Sequence, residues 1–247
     1  MKENKYDQQV FFDKYSQMER SRKGLAGAGE WYVLKELMPD LQGIRMLDLG
    51  CGYGWHCIYA AEHGADSVVG IELSQKMLQV ARGKNTYPQV SFQQAAIEDV
   101  AFPPESFDLV FSSLTLHYVK DYQGVVEKVW KLLKPGGRFL FSVEHPVFTA
   151  QGSQDWEYGS HGEIRHFPVD RYYYQGEREA NFLGEKVIKY HRTLTTYLEE
   201  LLRAGFLLEH VVEPQPSQEM IDTVPGMQEE MRRPMMLIVS ARKRGEK

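Results

Sequence analysis

Cysteine is scarce in this chain: Cys51 and Cys57 are the two among 247 residues, too few for a disulfide framework and consistent with a reducing compartment. No apolar run approaches the ~18 residues that cross a bilayer. The polar start Met1-Lys2-Glu3-Asn4-Lys5 has none of the apolar core of a secretion signal. The expected location is therefore the cytoplasm, with no membrane association. Basic residues are not in excess either, since 29 Lys and Arg against 34 Asp and Glu leave a net charge of −5, so no nucleic-acid partner is expected. His and Cys are not clustered at metal-ligand spacing, and no metal is expected. Repeats and linker-like stretches are missing too, which predicts one domain over residues 1–247. With 43% hydrophobic and 26% charged residues, the composition excludes disorder as the main state.

What is present centres on residues 45–73. Met46-Leu47-Asp48-Leu49 is a short apolar run with one embedded acid, and it opens into Gly50-Cys51-Gly52-Tyr53-Gly54. The spacing then predicts a helix over 55–63, closed by Gly64, and a second buried strand, Ser67-Val68-Val69-Gly70-Ile71, ending in Glu72. Alternate glycines let the backbone turn sharply and approach a ligand, because no side chain intervenes and positive φ costs little. An acid at the second strand tip accepts hydrogen bonds from both hydroxyls of a ribose, so the unit reads as a nucleotide pocket. The dinucleotide fingerprint places a third glycine where Trp55 stands. A nicotinamide-dependent oxidoreductase is thereby disfavoured, and it is kept as an alternative.

Leu47-Asp48-Leu49-Gly50-Cys51-Gly52-Tyr53-Gly54 resembles the first motif of the class I S-adenosylmethionine-dependent methyltransferases, and Gly70-Ile71-Glu72-Leu73-Ser74-Gln75-Lys76-Met77 resembles their second. The stretch through Lys134-Pro135-Gly136-Gly137 is similar to the type 11 subgroup, which includes bacterial small-molecule enzymes of quinone biosynthesis. The resemblance implies S-adenosyl-L-methionine as cofactor. By it, Gly50, Cys51 and Gly52 lie against the amino-acid end of the cofactor and Asp48 helps to order its amino group. Glu72 binds the ribose, with Leu73 and Met77 near the adenine. Many relatives carry an acid where Ala96 stands. Here the backbone of Ala96 and Ile97, or the Glu98 carboxylate, is expected in its place, and Ser112 completes the set.

The implied fold is α/β: a Rossmann-like, doubly wound, seven-stranded, mostly parallel sheet with an antiparallel last strand. Residues 1–40 precede it as a helical extension, with 6–38 reading as helical, that folds over the cofactor in similar enzymes and brings in Tyr15 and Arg20. Third and fourth strands are predicted at 90–94 and 107–113, and Ser74, Asp121 and Thr193 read as helix caps. Pro135-Gly136-Gly137 is expected to end a helix, with a fifth strand over 138–143. Residues 147–190 are aromatic, polar and without helical period, which predicts an insertion after the fifth strand that caps the active site, with one hairpin in 171–190. Strands at 206–212 and 235–242 close the sheet, with an unpatterned stretch, 214–234, between them.

Methyl transfer from a sulfonium is an in-line displacement with a good leaving group, so alignment and exclusion of water supply most of the catalysis. A base is needed only where the acceptor must lose a proton. His145, at the fifth strand tip, is the first candidate by its ordinary pKa; the other reading is a turn histidine set by Pro146. His117, Glu144, Arg171, Tyr172 and His191 join His145 as candidate acceptor contacts. Ser112-Ser113-Leu114-Thr115 stands where enzymes that methylate planar amines carry an Asn/Asp-Pro-Pro-aromatic signature. That favours a small-molecule oxygen or carbon acceptor. A non-catalytic donor-binding protein is the further alternative, and the expected assembly is a monomer or homodimer.

Overall fold

The computed structural model describes residues 4–245; the outermost residues of the expected 1–247 domain, 1–3 and 246–247, lie outside the described residues. Three short helices, α1 (Gln9–Ser16), α2 (Glu19–Lys23) and α3 (Trp31–Leu37), precede the sheet. The segment is helical as expected, in separate pieces, with Met18 extended (ψ 147°) between α1 and α2.

Five strands follow, with α-helices between all but the third and fourth: β1 (Arg45–Leu49), α4 (Trp55–Glu62), β2 (Ser67–Glu72), α5 (Gln75–Lys84), β3 (Val90–Gln94), β4 (Phe107–Ser113), α6 (Tyr122–Leu132) and β5 (Leu133–Glu144). After an insertion that begins with the short helix α7 (Pro146–Thr149) come α8 (Leu194–Arg203), β6 (Phe206–Val212), α9 (Gln218–Thr223) and β7 (Met236–Lys243). The sheet order is β6-β7-β5-β4-β1-β2-β3. β1 to β5 pair in parallel, whereas β7 runs antiparallel to both β5 and β6.

Both faces of the sheet are covered, and neighbouring residues on a strand feed different cores. Leu47, Val110, Phe139 and Phe141 pack with Val126 and Val129 of α6 and Leu201 of α8. Met46, Leu109, Phe111 and Leu140 pack on the other side with Leu34, Cys57, Ala60 and Leu78. This explains why the central strands read as continuous apolar runs. Helix starts follow the expected caps. The side chains of Ser74, Asp121 and Thr193 accept hydrogen bonds from the amides of Met77, Gly124 and Thr196, each satisfying an N–H that the helix cannot.

Three boundaries differ from the sequence expectation. Pro135-Gly136-Gly137 does not end α6: that helix stops at Leu132, and the Pro-Gly-Gly residues lie inside β5. Pro135 disfavours the helical conformation for Lys134. The register jumps from Phe107↔Leu133 to Leu109↔Arg138, so this part of β5 bulges away from β4. The insertion holds the expected hairpin, Gly176–Phe182 with Glu185–His191, joined by Leu183-Gly184, both with positive φ as a tight two-residue turn requires. It also holds a second, shorter one, Glu157–Tyr158 with Ile164–His166. The 214–234 stretch is not unpatterned, since it contains α9, capped by Ser217, and a 3-10 turn, Met227–Arg232.

Candidate functional site

Strand order reverses between β1 and β4, and open α/β sheets take ligands beyond the carboxyl ends of strands at such a point. A cavity of about 690 Å³ lies there. Gly50, Gly52, Glu72, Leu73 and Met77 line one half, together with Ala96, Ile97 and Glu98 beyond β3. Ser113, Leu114, Thr115, His117 and Tyr118 beyond β4 line the other, with Glu144 at the tip of β5 and Phe182, Val187 and Tyr190 from the insertion hairpin. Tyr6, Tyr15, Met18 and Arg20 complete the wall from the N-terminal segment.

The glycine turn is held from below. The amides of Gly50 and Cys51 both donate to the Ile71 carbonyl, at 2.8 and 2.9 Å. Gly50 has φ 79°, and a Cβ there would overlap the Thr115 side chain across the switch point. Gly52 has φ 54°, and a Cβ there would meet only Met77 Cε, at 3.5 Å, so the missing side chain leaves room on the cavity side. Glu72 accepts hydrogen bonds from the amides of Gly52 (3.1 Å) and Ser74 (2.8 Å). Burial raises its pKa over the lowering by those amides.

The N-terminal segment is tied across this half. Asp7 accepts from the Ser74 hydroxyl (2.6 Å) and from the Lys76 amide (3.1 Å) at the start of α5. Arg20 Nη2 donates to both carboxylate oxygens of Glu30, at 2.9 and 2.8 Å, and the Ser113 hydroxyl donates to the same carboxylate at 3.3 Å. Glu30 is buried, so Arg20 is fixed over the tip of β4.

The other half is built around an ion pair. Lys189 Nζ donates to Glu144 Oε1 (2.6 Å) and to Gln154 Oε1 (2.7 Å), while Gln154 Nε2 donates to Glu144 Oε2 (2.6 Å). The ammonium lies 5.3 Å from the centre of the Phe182 ring and 5.8 Å from that of Tyr118. Burial would raise the Glu144 pKa, but His117 and Lys189 outweigh it and hold the carboxyl below its usual range. His117 Nδ1 accepts from the Glu144 amide at 3.3 Å. Burial, with Lys189, Arg192 and Arg20 nearby, pushes the His117 pKa down to about 4 against the opposing pull of Glu144. At neutral pH it is an uncharged imidazole.

Several sequence candidates are placed elsewhere. His145 is buried and is not among the described residues that line the cavity. Its Nδ1 accepts from the Val147 amide at 3.0 Å, capping α7, and its Nε2 lies 2.8 Å from Glu213. It is the turn histidine set by Pro146, so its assignment as base is withdrawn. Asp48 and Cys51 lie beneath the turn: Cys57 Sγ donates to Asp48 Oδ2 at 3.3 Å, and burial raises the Asp48 pKa to about 7. Ser112 is buried and donates to the Leu49 carbonyl at 2.8 Å, leaving Ser113 as the serine on the cavity. Arg171, Tyr172 and His191 are also not among the cavity-lining residues described. Arg171 is exposed. The Tyr172 hydroxyl accepts from the Leu194 amide, and His191 bridges the Thr149 hydroxyl and the Tyr172 carbonyl at 2.8 Å each. Tyr172 and His191 thus tie the insertion together away from the cavity.

Sequence reasoning passed over Tyr6, Glu30, Gln154 and Lys189. Lys189 had a signal: Val187, Lys189 and His191 alternate, and all three face inward. The other three depend on pairings across the fold that no local spacing carries.

The arrangement defines a class: an α/β protein with a nucleoside-cofactor cradle at its switch point. Among known sequences, the methyltransferase domain family Methyltransf_11 matches residues 47–141. A Listeria monocytogenes structure assigned to the S-adenosylmethionine-dependent methyltransferases is 53% identical, with 90% of this chain and 99% of that one aligned at a TM-score of 0.85. An S-adenosylmethionine-dependent methyltransferase of Mesorhizobium loti is 44% identical over 89% of this chain and all of its own, with a TM-score of 0.83. The ubiquinone biosynthesis O-methyltransferase of Bordetella avium is 38% identical over 117 residues, 46% of this chain and 47% of that relative, so the chain spans about half of it. The chain belongs to the class I S-adenosylmethionine-dependent methyltransferases.

It is a methyltransferase with S-adenosyl-L-methionine as its cofactor. The residues present fit that group. The space beside Gly52 and the carboxylate of Glu72 at the tip of β2 suit a close-lying backbone contact and a ribose, and the sulfonium, when bound, supplies a methyl group activated by positive charge. No helix among the described residues is long and apolar enough to cross a membrane, and no cluster of metal-ligating side chains occurs among them.

Proposed function

We propose that this enzyme methylates a small molecule at oxygen or carbon within the single 1–247 unit. The observation that carries the reading is the half-buried Glu144–Lys189–Gln154 cluster beside the half of the cavity that faces the donor cradle. A fixed ammonium there, with its counter-charge already spent on it, disfavours a second cation, and so an amine acceptor. In this reading Gly50, Gly52, Glu72, Leu73, Met77 and the 96–98 segment hold the donor. Tyr15 and Arg20 close over it as part of the 1–40 lid, and His117, Tyr118 and Glu144 border the acceptor under the 147–190 cap.

An imidazole with a pKa of about 4 is a weak proton acceptor, so His117 orients rather than deprotonates. Holding donor and acceptor in line and excluding water carries the rate, which suits an acceptor acidic enough to shed its own proton. The enclosure by aromatic walls and the net charge of −5 support a metabolite over RNA. Two unpaired thiols, Cys51 and Cys57, support the cytoplasm as the compartment.

The test is a panel of phenols, enols, amines, tRNA and protein extracts, followed by release of S-adenosylhomocysteine. Turnover confined to hydroxyl or carbon acids is expected. Preference for amines refutes the acceptor assignment, and silence across the panel with intact donor binding favours a non-catalytic donor-binding protein.

A further inference from the structure

The side chain of His117 is a hydrogen-bond donor that the fold leaves unused. Its Nδ1 accepts from the Glu144 amide at 3.3 Å, and an amide can only donate, so the neutral ring keeps its proton on Nε2. Nε2 lies 3.9 Å from Glu144 Oε1, outside hydrogen-bond reach, and donates to no other atom among the described residues. The ring is 2% exposed and lines the half of the cavity beyond β4. A buried N–H without an acceptor is costly, and one on a cavity wall is satisfied by what fills the cavity.

The charges around that N–H favour an anion. Arg20 is matched by Glu30, and Lys189 by Glu144, whose two oxygens are taken up by Lys189 and Gln154. Arg192 has no such match. It is buried, and its guanidinium donates to the carbonyls of Leu116, Val119, Lys120 and Tyr190, around the 3-10 turn Leu116–Tyr118 that carries His117. It pairs with no carboxylate among the described residues, so its charge stands in excess. Lys120 and Glu177, exposed on the same wall, offset each other, and Glu72 and Glu98 lie in the donor half. Lys189, Arg192 and Arg20 disfavour a second positive charge on the His117 ring. The same field favours a negative charge beside it, where the rings of Tyr118, Phe182 and Tyr190 keep water away.

We propose that His117 Nε2–H holds the reacting oxygen of the acceptor as an oxyanion, so that the acceptor is an acidic hydroxyl, a phenol or an enol, bound in its ionised form. This rests on the reading of the cavity as the site of methyl transfer and narrows it to oxygen. The hydroxyl proton leaves to solvent on binding. The freed oxygen pair then forms the new O–C bond while the C–S pair returns to sulfur, and the opposite charges cancel. No protein base takes part, and His117 ends the step with the proton it began with.

The test reads the ionisation of a bound phenol and needs no turnover. Protein saturated with S-adenosylhomocysteine is titrated with 4-nitrophenol and 4-hydroxybenzaldehyde, whose ionised and protonated forms differ in absorption, across a range of pH. The bound phenols are expected to ionise about one pH unit or more below their free values, the effect of one hydrogen bond to a charged oxygen. His117→Asn keeps an acceptor for the Glu144 amide and removes the Nε2 donor, so the shift should be lost; His117→Gln, whose amide reaches further, should restore part of it. S-adenosylhomocysteine affinity should stay within about twofold in both variants, since the donor cradle is a separate set of contacts. Should the variants fail to fold, nitrogen-15 spectra of His117 in the unaltered protein carry the test: the proton is expected on Nε2, and its signal should move downfield when the phenol ionises. Ionisation at the free value, no binding of either phenol, a shift that survives His117→Asn, or a proton found on Nδ1 overturns the proposal. Those results leave the methyl-transfer reading standing, since that reading fails separately, through absence of S-adenosylhomocysteine release in the acceptor panel.

Discussion

Lys189 Nζ lies 2.6 Å from Glu144 Oε1, so a residue of the insertion hairpin is bonded to the tip of the fifth strand across 45 positions of sequence. Both side chains are largely withdrawn from water, at 2% and 16% exposure. The insertion hairpin is thus fastened to the sheet by a charge pair that neither partner can abandon cheaply. Removing the ammonium alone strands a buried carboxylate, so Lys189→Met should lower stability by about 3–5 kcal/mol, and Lys189→Met with Glu144→Gln should recover most of that loss. Denaturant unfolding of the two single variants and the double variant checks it; additive losses would remove the pair from the account.

Glu72 stands between the glycine turn and the start of α5, accepting from the amides of Gly52 and Ser74. Its carboxylate is the group assigned to the ribose, and hydrogen bonds to charged groups contribute roughly 1.5–3 kcal/mol each. Glu72→Ala should weaken S-adenosylmethionine binding by roughly tenfold or more, measured by titration calorimetry. Unchanged affinity would remove Glu72 from the donor site.

Gly50 and Gly52 differ in what a side chain would meet. At Gly50 it overlaps Thr115, and at Gly52 it enters the cavity near Met77. Gly50→Ala should therefore cost stability, about 1–3 kcal/mol or more from backbone strain and collision together. Gly52→Ala should cost roughly 1 kcal/mol of stability and weaken the donor more than that cost explains. Thermal unfolding paired with calorimetry separates them, and equal effects on both measurements would undo the distinction.

Asp48 sets a pH dependence. Burial raises its pKa in the folded chain to about 7 from 3.8, outweighing the hydrogen bond from Cys57. Between those values the folded protein keeps a proton that the unfolded chain has released. The contribution of this group to stability is thus fully present below about pH 4 and is lost as pH rises through about 7, a total on the order of 4 kcal/mol. Asp48→Asn should flatten that slope and be the more stable protein above pH 7. Unfolding curves at intervals from pH 5 to pH 8 test this, and an unchanged slope would exclude Asp48 as its source.

The glycine turn and the acid that line one half of the cavity were readable from the chain alone because their chemistry is local. The strand, the alternate glycines, the helix and the acid at the next strand tip lie within 45–73, and short-range sterics force glycine wherever the turn takes positive φ, as at Gly50, Gly52 and Gly54. Strand identity was readable for a similar reason, since strands buried on both faces must be apolar throughout, and β4 falls at the positions that the pattern sets. His145 shows where that reasoning stops. Its place at a strand tip was legible, but the direction of its ring was decided by the Val147 amide and by Glu213, 68 positions away in sequence.

The sequence by itself determined the sheet, the glycine cradle and the family, because period, turn chemistry and spacing act over a few residues. The tertiary structure decided which side chains wall the cavity beyond the tips of β4 and β5. Lys189, Gln154, Tyr6 and Met235 reach that cavity or its supporting cluster only when the N-terminal segment, the insertion hairpin and the start of β7 converge on the tip of β5. Desolvation and charge pairing on that scale depend on which distant segments share a wall, and hydrophobic period carries no record of it.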